Sequence, residues 1–204
     1  MRIALSGLVP ASAIAAAVLL VSFDRHGRLS WDHWDEVKRG MLYRSGQLSP
    51  GQLTEAVKRH QIRTIVNLQM PGEELLAERE LSRRLEVDFV NLPMPGDGLG
   101  EEWEFREFLK IVDDPERRPV LVHCARGTCR TGAAVAMYRL ERDGWALEDV
   151  TAELKRQTYH YGLLPGYTYA LAKNKPMRSL PRPVMIDDRN RAGFRASQEQ
   201  SHGD

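Results

Sequence analysis

Ten consecutive residues carry the chemistry this chain could do: His123-Cys124-Ala125-Arg126-Gly127-Thr128-Cys129-Arg130-Thr131-Gly132. A cysteine opens the loop and an arginine closes it, with five residues between them. A loop of that length can curl until the backbone N–H groups of residues 125–130 point at one tetrahedral anion. The apolar run Pro119-Val120-Leu121-Val122 before it reads as a strand, and the run from Ala133 to Leu140 after it as a helix. The positive end of that helix adds to the cradle. Arg130 can offer its planar fork to two phosphate oxygens. Positive surroundings favour the thiolate at Cys124, the nucleophilic form of that side chain. The pattern predicts a phosphate monoester held by Ala125, Arg126, Gly127, Thr128, Cys129 and Arg130, with Cys124 attacking its phosphorus. A departing alkoxide or phenoxide then needs a proton, commonly from an acid on a mobile loop. The Gly- and Pro-rich stretch Leu92–Gly100 follows a predicted strand, and Asp97 is its only acid. Glu101 and Glu102 are the alternatives, and a turn role beside Gly98 is the plain reading of Asp97.

The sequence His123-Cys124-x-x-Gly127-x-x-Arg130-Thr131-Gly132 resembles the signature of the cysteine-dependent protein tyrosine and dual-specificity phosphatases, in the strand–loop–helix context that signature requires. Tyr43-Arg44-Ser45-Gly46-Gln47 is similar to the opening of the atypical dual-specificity branch known from plants, fungi and bacteria. The resemblance covers roughly residues 35–160. It implies a phosphocysteine intermediate on Cys124, Asp97 as general acid, and Arg130 with the loop amides on the equatorial oxygens. Thr131 would donate its hydroxyl to the sulfur, and His123 would fix the loop and tune the thiol. No metal or cofactor is implied, and His123, Cys124 and Cys129 do not make a zinc set by spacing.

Two departures bear on substrate and regulation. Arg126 is similar to the basic residue that plant and fungal relatives carry, some of which act on inositol pyrophosphates. Thr128 and Cys129 lack the further basic residues of those relatives. Cys129 stands five residues after Cys124, like the paired cysteines of low-molecular-weight tyrosine phosphatases, and is a candidate redox partner for an oxidised Cys124. A small buried filler is the simpler role. The leading reading is a phosphomonoester hydrolase acting on a phosphorylated protein or small phosphomonoester. The others are an inositol phosphate or phosphoinositide phosphatase, a non-catalytic phosphate-binding module, and an arsenate reductase or sulfurtransferase using a similar loop.

The elements that must position these residues alternate. Met41–Gln47, Ile62–Leu68, Val87–Leu92 and Pro119–Val122 read as strands. Helices are predicted from Ser49-Pro50, with Ser as cap and Pro in the first turn, over Glu73–Leu85 with Leu75, Leu76, Leu81 and Leu85 inward, over Glu102–Val112, and over Leu147–Gln157. The tyrosines 159, 161, 167 and 169 suggest the packed edge of a helical layer. The expected fold is α/β, a central and largely parallel sheet flanked by helices, with an N-terminal transmembrane helix added.

The chain has 204 residues, 42% hydrophobic and 28% charged, with net charge +1, which suits one globular domain and gives no basis for a nucleic-acid partner. Its two cysteines both lie in the loop, so no disulfide framework exists. Residues 3–23 are uncharged and mostly apolar, about the length of a membrane-spanning helix. They are read as a single-pass anchor over residues 1–23, ahead of a cleaved signal peptide. Arg25, Arg28, Lys38 and Arg39 on the downstream flank favour a cytoplasmic catalytic domain. Residues 24–40 become a juxtamembrane segment, where Trp31 and Trp34 fit either the membrane interface or a cap on the domain. The phosphatase domain is placed at 41–175, and 176–204 read as a disordered tail.

Overall fold

The computed structural model describes residues 31–159 and 164–173, together with the short strand at 186–187. Four short strands form its centre: β2 (Leu42–Ser45), β3 (Thr64–Asn67), β4 (Asp88–Asn91) and β5 (Val120–His123). They run parallel in the spatial order β2-β5-β3-β4. Val, Ile and Leu on both faces, with β2, β3 and β5 buried throughout, make strands that need cover on two sides. Two further strands, β1 (Asp35–Lys38) and β6 (Ile186–Asp187), pair antiparallel with β2 and β4 at the two edges. The sheet is thus mixed, and its parallel part is the central four strands. β1 falls within the stretch read as juxtamembrane, and β6 within the stretch read as tail.

Six α-helices and a single 3-10 turn (Pro115–Arg117) complete the described fold: α1 (Pro50–His60), α2 (Glu73–Arg84), α3 (Glu102–Asp113), α4 (Cys129–Glu141), α5 (Leu147–Arg156) and α6 (Leu164–Lys173). α1 starts where its cap predicts. Ser49 accepts from Gln52 N–H, Gln52 Oε1 accepts from Ser49 N–H at 2.9 Å, and Pro50 opens the first turn. α4 is buried from Thr131 through Tyr138, on all sides rather than along one stripe. It is the central helix of one layer and packs against α3, α5 and α6. Phe105 and Phe108 of α3 are fully buried in the same core, worth about 2–3 kcal/mol each relative to exposure.

Strand register sorts the side chains. The rung Arg44–Val122–Val66–Val90 faces the α4 layer. The next rung, Ser45–His123–Asn67–Asn91, faces the opposite way, because successive residues of a strand alternate. That puts four polar side chains at the carboxyl ends of the strands, under α2. The inward face of α2 is Leu75, Glu78 and Ser82, whereas Leu76, expected inside, is 59% exposed.

The expectation of a transmembrane helix, and with it a membrane-anchored localisation and a membrane partner, is corrected. No helix among the described residues is long and apolar enough to cross a membrane. The run at residues 3–23 lies outside the described residues. Its reading as a span rests on uncharged apolar length alone. Trp34 belongs to the domain, stacked on Tyr43 with ring centroids 5.6 Å apart and tilted against His60 at 5.0 Å.

Candidate active site

The loop Cys124–Thr128 leaves the carboxyl end of β5 and enters α4, whose first turn starts at Cys129. This is the end of a parallel sheet where such folds open a binding crevice. The loop rests on the β2–α1 turn. The Gln47 N–H donates to Ala125 O at 3.0 Å, and the buried Arg44 Nη2 donates to Gly127 O at 2.5 Å. Gly127 sits at φ +75°, and a Cβ there would lie 2.6 Å from Gly46 N and 2.7 Å from Ser45 C. Both the conformation and the close approach require glycine. On the far side, a Cβ at Gly132 would meet Leu154 at 2.9 Å, so α5 packs directly on the start of α4.

Cys124 is 2% exposed. Burial pushes its thiol up, but the Thr131 hydroxyl and the N–H groups of Thr131, Gly127 and Arg126 outweigh that and leave it below the usual range. The donors around the sulfur thus favour its thiolate form. The Thr131 hydroxyl makes no hydrogen bond of regular geometry, nor do Ser45 Oγ, Arg130 Nε, and Arg44 Nε and Nη1, all buried. Buried donors without partners are rare in folded proteins, and those of Arg44 and Thr131 lie close enough to Cys124 to act on its charge.

His123 and Glu78 form a second buried unit. His123 Nε2 lies 2.9 Å from Glu78 Oε1, off the line of a regular hydrogen bond, and Asn67 Nδ2 donates to Glu78 Oε2 at 2.6 Å. Burial works against both charges. The Glu78 carboxylate, and less strongly the neighbouring Cys124, raise the His123 pKa, while His123 and the amides of Asn67 and Gln47 lower that of Glu78. The two shifts favour the charged forms of both groups, an imidazolium beside a carboxylate, next to the sulfur.

Asp97 is exposed, and its Oδ1 accepts from Leu99 N–H at 2.9 Å, so its side chain caps the turn closed by Gly98 N–H and Pro95 O. The loop is docked all the same. A Cβ on Gly98 (φ +84°) would lie 2.7 Å from Cys129 O, which brings the residue after Asp97 against the first turn of α4. Cys129 is half-buried beside Thr128, and both cysteines are free thiols. Sequence reasoning passed over Glu78 and singled out Arg44 only as part of the Tyr43–Gln47 opening. The signal for Glu78 was its spacing from Leu75 and Ser82, three and four residues along one helix face.

The family described as "DSP-PTPase phosphatase fused to NAD+ Kinase" matches residues 21–163, well over half of the chain. The chain belongs to this family. This family member is 32% identical over 116 residues to the dual specificity protein phosphatase TpbA of Pseudomonas aeruginosa (strain UCBPP-PA14), covering 56% of the chain and 50% of TpbA. It is 45% identical over 56 residues to the inositol diphosphatase DSP1 of Oryza sativa subsp. japonica, covering 27% of the chain and 24% of that protein. The chain thus spans half the length, or less, of the curated relatives it matches. Its fold is similar to the core catalytic domain of the PP-IP phosphatase SIW14 from S. cerevisiae, with a TM-score of 0.62 at 19% identity over 85% of this chain and 96% of that one. The crystal structure of P. aeruginosa TpbA superimposes at a TM-score of 0.51 and 25% identity, over 65% of this chain and 79% of TpbA.

Proposed function

We propose that this chain hydrolyses phosphate monoesters through a phosphocysteine, as a protein tyrosine or dual-specificity phosphatase. The observation that carries this reading is the depressed thiol of Cys124 within a ring of N–H and hydroxyl donors. The sulfur attacks phosphorus in line, the P–O bond to the leaving group breaks, and Asp97 gives its proton to the departing oxygen. Arg130 and the amides of residues 125–130 take up the charge that builds on the equatorial oxygens. Water then attacks phosphocysteine, the S–P bond breaks, and the Thr131 hydroxyl eases departure of the thiolate. His123 acts through Glu78 and the loop rather than on substrate. Similarity to TpbA supports phosphoprotein as substrate.

A second substrate class, inositol diphosphates, is supported by the exposed Arg126 at the rim and by the similarity to the rice inositol diphosphatase. The test is hydrolysis of an aryl phosphate by the full chain beside Cys124→Ser. Turnover falls at least 1,000-fold in the variant if the sulfur is the nucleophile, and equal turnover in both would sink the mechanism. Phosphotyrosine peptides set against inositol diphosphates then decide the substrate class.

A further inference from the structure

The acid loop is held at a point the reaction scheme does not use. The Tyr167 hydroxyl on α6 donates to the carbonyl oxygen of Gly100. Gly100 lies three residues after Asp97, where the loop turns into α3. Space around it is filled, since a Cβ there would meet the Met94 side chain at 3.0 Å and the Glu104 carboxylate at 3.3 Å. Upstream, the loop is tied to the sheet through Leu92 N–H to Asn67 O and Met94 N–H to Leu68 O. Between those ties and Gly100 it touches α4 where Gly98 abuts the Cys129 carbonyl.

α6 packs along α4 and buries Leu164, Thr168 and Ala172. It therefore shares a rigid contact with the helix whose first turn closes the phosphate cradle. The Tyr167 hydroxyl is half-buried, and burial together with the nearby carboxylates of Glu104, Glu101 and Asp97 raises its pKa, which keeps it a donor. Tyr167 also lies outside the family match at 21–163, so that match does not assign it a role.

We infer that Tyr167 is a positioning residue for proton delivery: by pinning Gly100 to the helix that packs on α4, it holds the Asp97 loop in register with the Cys124 loop. The inference rests on Asp97 as the general acid. A hydroxyl that ties a carbonyl of one loop to the helical layer of the other removes freedom that would otherwise be lost in the transition state.

The experiment compares two aryl phosphates on the full chain, one with an activated leaving group that departs without a proton and one with a poor leaving group that needs it. The readout is the ratio of kcat on the first to kcat on the second. Tyr167→Phe removes one oxygen and should raise that ratio about tenfold. Asp97→Asn should raise it further, and the double variant should add nothing to Asp97→Asn. Gly98→Ala, which forces the loop off Cys129, should behave as Tyr167→Phe does. Loss of folded protein lowers both rates together and leaves the ratio where it was. A ratio unmoved by Tyr167→Phe and Gly98→Ala but raised by Asp97→Asn overturns the positioning role and leaves the acid in place. A ratio unmoved by Asp97→Asn, or a parent inactive on both esters, overturns the acid or the reaction itself, and the role of Tyr167 with it.

Discussion

At the scale of single residues, Glu78 decides how much positive charge stands beside Cys124. Removing that carboxylate leaves His123 buried without a counter-ion, so the imidazole becomes neutral and the sulfur loses a neighbouring positive charge. Glu78→Gln keeps the shape and an acceptor for Asn67. In that variant the Cys124 thiol should titrate higher, as read from the pH dependence of alkylation by iodoacetamide. The acid limb of kcat/KM should move to higher pH with it, and an unmoved limb would detach Glu78 from the chemistry. The same pair contributes to stability in a defined window. Glu78 is depressed from 4.5, so its contribution is complete above pH 4.5 and is lost as pH falls through the folded value. His123 is raised from 6.5, so its contribution is complete below pH 6.5 and is lost as pH rises through the folded value. The cost of Glu78→Gln, about 3 kcal/mol for breaking a buried pair, should therefore be greatest between pH 4.5 and 6.5 and shrink on either side.

At the scale of elements, the β2–α1 turn is the platform under the loop. Arg44 is 1% exposed, and burial lowers its pKa against the raising pull of Glu153, Asp35 and Cys124. Arg44→Lys retains a charge but removes the fork that reaches Gly127 O and the two buried N–H donors beside it. We expect kcat/KM to fall about 10- to 100-fold, equivalent to about 1.4–2.7 kcal/mol. Inhibition by vanadate or phosphate should weaken in parallel, because the cradle itself is disturbed. Unchanged inhibition would place Arg44 outside the anion site. The strand–loop–helix unit around Cys124 was legible because an apolar run, a loop of fixed chemistry and a helix-forming run follow one another within some twenty residues. Arg44 was not, because an arginine in a four-residue strand has no sequence mark of burial; its placement comes from the register with Val122 in a partner strand far along the chain. The edge strands escaped for a similar reason. Asp35–Lys38 carries one buried side chain, Val37, and two residues at 186–187 show no period at all.

At the scale of the whole molecule, the α3–α6 layer places a buried carboxyl where the acid loop meets α3. Glu104 is 3% exposed at the start of α3, in contact range of Gly100, and accepts from Glu101 N–H in a capping box. Sequence would place a first-turn Glu at the surface, where it favours the helix dipole; here α6 closes over that end of the layer. Burial is the main cause of its raised pKa, about 7 against an ordinary 4.5, partly opposed by the Glu101 N–H and reinforced by the Glu101 charge. The folded state thus binds this proton more tightly than the unfolded chain does. Its stabilising effect is present in full below pH 4.5 and is lost as pH rises through about 7, so the charged form weighs on the domain at alkaline pH. Glu104→Gln imitates the protonated form and still accepts from Glu101 N–H. It should be near neutral at pH 5 and more stable than the parent at pH 8, by about 1–2 kcal/mol once partial solvation of the carboxyl is allowed for. Denaturant unfolding of both proteins at the two pH values measures this directly. An equal difference at pH 5 and pH 8 would mean that Glu104 is charged throughout and that the junction between the acid loop and the helical layer is open to water.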